Sequence, residues 1–216
     1  MPEGEPLVRW DWIASHIELF GDLTVEHLKL SLLPILFGLL IAVPLGVLCA
    51  RWGWLYPPVL TIANILYAVP SLALFLVLLD FTGLTIWTVV IPLTLYTLSV
   101  LVPNVVDGLR QVPEQTRQAA VAMGYTPLRR LVAVELPIAV PVIMAGVRVA
   151  TVSNISLVSV GALIGIGGLG RLFKDGFDLQ FTTPVFAGIV LIIALAVLFD
   201  FALVLLQRLL TPWTAR

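Results

Sequence analysis

Little in this sequence is charged. Only 12% of its 216 residues are Asp, Glu, Lys or Arg, while 60% are hydrophobic and the mean hydropathy is +1.07. So few charges cannot clothe a water-soluble domain of this size. Basic and acidic residues nearly cancel, to a net charge of −1, and the basic ones are scattered, which excludes a nucleic-acid-binding face. The single cysteine, Cys49, lies in an apolar run, so it reads as a packing residue rather than half of a disulfide or part of a thiolate cluster. His16 and His27 lack a third ligand type at sensible spacing; no metal site is expected, and both read as ordinary surface residues near the outer face. No nucleophile with its base and orienting acid stands out. There is no Gly-x-x-x-x-Gly-Lys-Ser/Thr pattern, which excludes ATP hydrolysis by that phosphate-cradling loop. Glu3, Glu5 and Asp11 stand where a signal peptide would carry positive charge, so the first apolar run is expected to direct insertion without cleavage.

What is present is a series of long apolar runs. A helix needs roughly 20 such residues to cross a hydrocarbon core. Residues 30–49, 52–79 and 81–106 are uncharged; 136–165 holds only Arg148 and 185–206 only Asp200. The expectation is an all-α, polytopic membrane protein with about five transmembrane helices, forming one membrane domain over residues 1–216. Pro34, Pro44, Pro70, Pro92 and Pro141 fall inside these runs and are expected to kink helices rather than break them. Before the first run, Trp10, Ile13, Ile17 and Phe20 recur at helical spacing. This reads either as an interfacial helix on the outer leaflet or as an extension of the first span.

Orientation follows from Lys and Arg, which are retained on the cytoplasmic side. One set of flanks carries Arg51, Arg110, Arg117, Arg129, Arg130, Arg208 and Arg216; the other carries Arg9, Lys29, Arg171 and Lys174. The larger set predicts an N-terminus outside, with residues 1–26 as an outer-face segment, and a C-terminus inside. Residues 107–136 then form the largest cytoplasmic connection. Within it, Pro113 and Glu114 suit the first turn of a helix. Gly124 supplies a left-handed stop, and Thr126 with Pro127 reads as the cap and first position of a second helix. A helical hairpin with small outward residues is suited to plugging a groove on another protein.

The run Gln118-Ala119-Ala120, then Gly124, then Val134-Glu135-Leu136-Pro137 resembles the EAA loop of ATP-binding-cassette importer permeases. Gln118 replaces the usual Glu and Val134 a common Ile. The resemblance spans roughly residue 26 to the C-terminus. It is nearest the branch importing glycine betaine, choline and carnitine, through Glu26-His27-Leu28-Lys29-Leu30, Ala42-Val43-Pro44-Leu45-Gly46, Val69-Pro70-Ser71-Leu72-Ala73-Leu74, the run from Pro141 to Arg148 and the run from Gly165 to Gly170. It implies a type I importer permease fold and a transport subunit without its own catalysis. It also implies a coupling helix near Gln118, Ala119, Ala120 and Gly124, backed by Leu136 and Pro137, that docks on a separate ATPase carrying ATP and Mg. The further implied partners are a second permease copy, identical or related, and an extracytoplasmic solute-binding protein. The location implied is the bacterial cytoplasmic membrane. A permease for methionine or another small solute is the nearest alternative, and a secondary transporter or channel the alternative of a different class. A membrane enzyme ranks third, because only isolated acids are present.

Arg148 lies about 16 Å of helix from Pro137, and Asp200 about 12 Å from Arg208. Intramembrane charges pair, so these two are expected in contact as a structural ion pair. Thr151, Ser153, Asn154, Ser156 and Ser159 form a polar stretch that reads first as interhelical hydrogen bonding. The sharper reading places Ser153, Asn154 and Ser156, with Tyr67 and Ser71, along a translocation path. Gly165, Gly167 and Gly170 match a dinucleotide fingerprint, but they follow a membrane helix rather than a strand. With Gly168 they read as a glycine-rich turn, which by the resemblance lies near the outer gate.

Overall fold

The computed structural model describes residues 8–214; Glu3 and Glu5 near the N-terminus and Arg216 of the C-terminal flank lie outside the described residues. The described chain is helical, and no strand occurs in it. A short helix α1 (Trp10–Ser15) precedes α2 (Ile17–Arg51), which is followed by α3 (Tyr56–Ala68), α4 (Ser71–Thr82) and α5 (Trp87–Arg110). Then come α6 (Glu114–Ala122), α7 (Pro127–Arg130), a π-helical turn (Leu131–Glu135), α8 (Leu136–Leu157), α9 (Arg171–Asp178) and α10 (Thr182–Leu210). Among the described residues, four stretches are long and apolar enough to cross a membrane: Ile17–Arg51, Trp87–Arg110, Pro127–Ile164 and Thr182–Leu210.

The fifth expected span, residues 52–79, is not one straight helix. It divides into α3 and α4, which are bent by 92°. Pro70 is responsible: it lacks an N–H to continue the ladder and pushes Val69 out of helical geometry. It sits at the cap of α4 with φ −57° and ψ 130°. The expectation that every proline would only kink a helix therefore fails at Pro70, while α8 runs through Pro141 unbroken. The first span is also longer than expected. α2 starts at Ile17, so the residues ahead of position 30 extend the span, and only α1 stands apart, with Trp10 exposed.

The chain forms two compact units, Met1–Ile35 with Val69–Thr94 and Thr151–Phe199, and Leu36–Ala68 with Leu95–Ala150 and Asp200–Arg216. In the first, Phe20, Leu23, Leu169 and Leu172 form a buried cluster with Trp12, Ile13 and Leu191 packed on it. The second is built on the later part of α5, where Leu101, Val102, Val105 and Val106 are fully buried. Two glycines let helices approach it closely: a Cβ at Gly46 of α2 would lie 2.5 Å from Val105 Cγ1, and one at Gly146 of α8 would lie 2.7 Å from Asn104 Cβ. Small residues at such crossings bring membrane helices together where no hydrophobic force acts between them.

Candidate functional site

The hairpin between α5 and α8 is built as its sequence dictates. Pro113 occupies the cap position of α6, one residue ahead of the first turn expected for it, with φ −60° and ψ 139°. Gly124, at φ 78°, turns the chain out of the helix; its N–H donates to Val121 O at 2.9 Å and that of Tyr125 to Ala120 O at 3.0 Å. Thr126 Oγ1 then caps α7, accepting from Arg129 N at 3.4 Å. The Arg129 guanidinium lies over the Tyr125 ring at 4.4 Å, stiffening the turn by a cation–π contact.

Gln118, Ala119 and Gly124 are exposed, with Val121, Met123 and Leu128 presenting large apolar groups beside them. Ala120, by contrast, is 1% exposed. It packs inward and offers no side chain to another protein, which corrects the expectation that it makes the outward contact with Ala119. Leu136 and Pro137 lie half-buried at the start of α8 and so form the base of the hairpin.

Charged groups tie the hairpin to the span ends. Arg117 Nη2 donates to Leu109 O of α5 at 2.6 Å, a last-turn carbonyl that also accepts from Val112 N at 3.3 Å. Arg130 Nε donates to Glu135 Oε1 at 2.7 Å, across the π-helical turn. Arg117 Nε lies 3.9 Å from the same Glu135 oxygen, too far for a hydrogen bond. That N–H is buried without an acceptor.

In the second unit Arg148 grips Asp200, with Nε to Oδ1 at 2.7 Å and Nη2 to Oδ2 at 2.9 Å. Two parallel bonds between guanidinium and carboxylate fix direction as well as distance. Tyr67 is half-exposed and meets the buried Tyr96 edge to face at 5.6 Å. In the first unit Asn154 is buried, Ser71 and Ser153 are half-buried and Ser156 is exposed.

The glycine-rich turn packs on a residue that sequence reasoning misplaced. His27 is fully buried rather than a surface residue, and its Nε2 bonds Ile155 O at 2.8 Å. A Cβ at Gly168 would lie 2.6 Å from His27 Cα, and Gly168 N donates to Glu26 Oε1 at 3.4 Å. Gly168 and Gly165 adopt φ 49° and 88°, while Gly167 and Gly170 press against the backbone of Ala162 and Ser159. The signal was present: Phe20, Leu23, His27 and Leu30 form one stripe at helical spacing, and all four are buried. Among the described residues no three His, Cys, Asp or Glu side chains converge as a metal centre would require.

These features define a polytopic α-helical membrane protein in which α5 and α8 are joined by a helical hairpin. Residues 42–212 match the family described as "Binding-protein-dependent transport system inner membrane component", and the chain belongs to that family. It is 38% identical over 197 residues to the osmoprotectant import permease protein OsmW of Salmonella typhimurium, covering 89% of this chain and 92% of the relative. It is 33% identical to the choline transport system permease protein OpuBB of Bacillus subtilis, covering 88% and 87%. With the carnitine transport permease protein OpuCD of Listeria monocytogenes it shares 37%, covering 87% and 84%. Among solved structures it resembles a chain of the inward-facing MetNI methionine ABC transporter, with TM-score 0.74 at 25% identity, covering 86% of this chain and 93% of that one. The all-α importer permease fold read from the EAA spacing is therefore the fold of this chain, and its role is that of a multi-pass permease subunit.

Proposed function

We propose that this permease carries quaternary-amine osmoprotectants, glycine betaine, choline or carnitine, inward through the membrane at the expense of ATP hydrolysed by a partner. The observation that carries the reading is similarity over 87–89% of this chain to permeases named for osmoprotectants, choline and carnitine. The resemblance to a methionine transporter chain keeps methionine as the competing solute. In this reading the N-terminus is outside and the C-terminus inside, as the excess of Arg near Arg51, Arg110 and Arg130 favours. The exposed Gln118, Ala119 and Gly124 of the hairpin dock on an ATPase that binds ATP and Mg, with Leu136 and Pro137 passing its motion into α8. A second permease copy completes the path, and an extracytoplasmic binding protein delivers solute near the turn at Gly165, Gly167, Gly168 and Gly170.

Tyr67, Ser71, Ser153, Asn154 and Ser156 are the proposed path residues. Tyr67 supports the solute class, because a half-exposed ring offers a π face worth about 0.5–2 kcal/mol to a quaternary ammonium. The test is ATP-dependent uptake of labelled glycine betaine, choline and methionine into vesicles holding the permease, its ATPase and its binding protein. Uptake of the quaternary amines supports the reading. Uptake of methionine alone overturns the solute class and leaves the importer assignment intact.

A further inference from the structure

At the root of the hairpin lies a cavity of about 250 Å³ whose lining includes Val47, Arg51, Leu109, Arg117, Arg130 and Glu135. We propose that it binds the phosphate of an acidic phospholipid headgroup. Three guanidiniums face one carboxylate there, and that carboxylate already accepts from Arg130 at 2.7 Å. Glu114, outside the lining, reaches Arg117 only at 3.9 Å. The Arg51 guanidinium has no carboxylate within ion-pair distance among the described residues, and Arg117 Nε is buried without an acceptor. Donors and positive charge are in surplus, so the missing group is an anion rich in acceptor oxygens.

The position of the cavity selects a lipid as its source. Arg51 is the last residue of α2, Leu109 lies in the last turn of α5, and Arg130 precedes the π-helical turn into α8. The ends of three membrane-crossing helices thus meet at headgroup depth, where basic pockets between spans take acidic lipid. Val47 and Leu109 supply an apolar wall for the glycerol end. Arg117 Nη2 donates to Leu109 O, which holds this guanidinium at the root of the hairpin. This inference is independent of the transported solute.

The test is native mass spectrometry of the purified full-length chain, delipidated and titrated with phosphatidylglycerol, phosphatidylcholine or inorganic phosphate. Arg51→Gln is the informative variant, because Arg51 is exposed and makes no ion pair among the described residues, and Arg51→Lys keeps the charge that orients the span. The wild type is expected to retain phosphatidylglycerol over phosphatidylcholine. Arg51→Gln should lose about fivefold of that preference, which is ~1 kcal/mol per basic residue, while Arg51→Lys and the distant Arg208→Gln keep it. Equal retention of both lipids, or no effect of Arg51→Gln, overturns the site. Displacement of phosphatidylglycerol by equimolar phosphate, or by the ATPase subunit, overturns the lipid as its occupant.

Discussion

Arg148 and Asp200 sit 52 residues apart in sequence and meet in a two-bond clasp of 2.7 and 2.9 Å. Each belongs to a run that is otherwise free of charge, so within a bilayer each supplies the opposite charge that the other's own run lacks. Asp200→Asn is expected to lower both the yield of inserted protein and its thermal midpoint in detergent. Arg148→Lys should do so less, because an ammonium keeps the charge but not the planar fork. The swap Arg148→Asp with Asp200→Arg should recover part of the loss. Single variants as stable as the wild type would show the clasp to be dispensable.

Gly146 faces Asn104 so closely that a Cβ would lie 2.7 Å from the Asn104 Cβ. Asn104 cannot easily yield, since its Nδ2 is bonded to Val100 O at 2.8 Å. Gly146→Ala is therefore expected to cost about 1–3 kcal/mol, the range for overpacking. Gly21→Ala is the control: nothing lies within 4 Å of its Cβ position, and the helix gains up to about 1 kcal/mol of propensity. Thermal unfolding of the two variants should move in opposite directions.

The spans were legible because apolar length is a signal that needs no partner, and the hairpin because Pro113, Gly124, Thr126 and Pro127 each act locally on the backbone. Pro70 and Pro141 show where such reading stops. Both are prolines inside apolar runs, yet one breaks its helix and the other does not. The difference rests on whether neighbours compensate for the lost hydrogen bond, which the local sequence does not encode. Ala120 faces inward for a similar reason: which side α6 buries depends on how it packs at the hairpin root, where Arg117 bonds Leu109 O, and the local sequence does not encode that. The cavity at Arg51 was illegible because its arginines come from three separate helices.

His27 joins α2 to the end of α8 through Ile155 O at 2.8 Å. Replacing it with Phe keeps an aromatic ring, of larger volume, but leaves that carbonyl without its donor, at a cost of about 1–3 kcal/mol for a buried group. His27→Gln retains a donor and should lose less. The comparison is read as thermal midpoints at one pH. If Phe proves no worse than Gln, the hydrogen bond contributes nothing and the packing against Gly168 alone keeps the residue buried.

Gly124 is the position where hairpin geometry and the proposed coupling can be separated. Its φ of 78° costs a residue with a Cβ roughly 1–2 kcal/mol, yet no atom lies within 4 Å of where that Cβ would stand. Gly124→Asn should therefore be tolerated in folding and in transport, because Asn visits the left-handed region readily. Gly124→Asp adopts the same backbone at similar cost, so its inserted amount should also stay near normal, but it places a charge on the exposed surface beside Ala119. Uptake is expected to fall with Asp and not with Asn, at equal amounts of inserted permease. Such a split assigns the loss to the docking surface. Equal loss in both variants would assign it to the turn, and undiminished uptake with Asp would remove this face of the hairpin from the coupling mechanism.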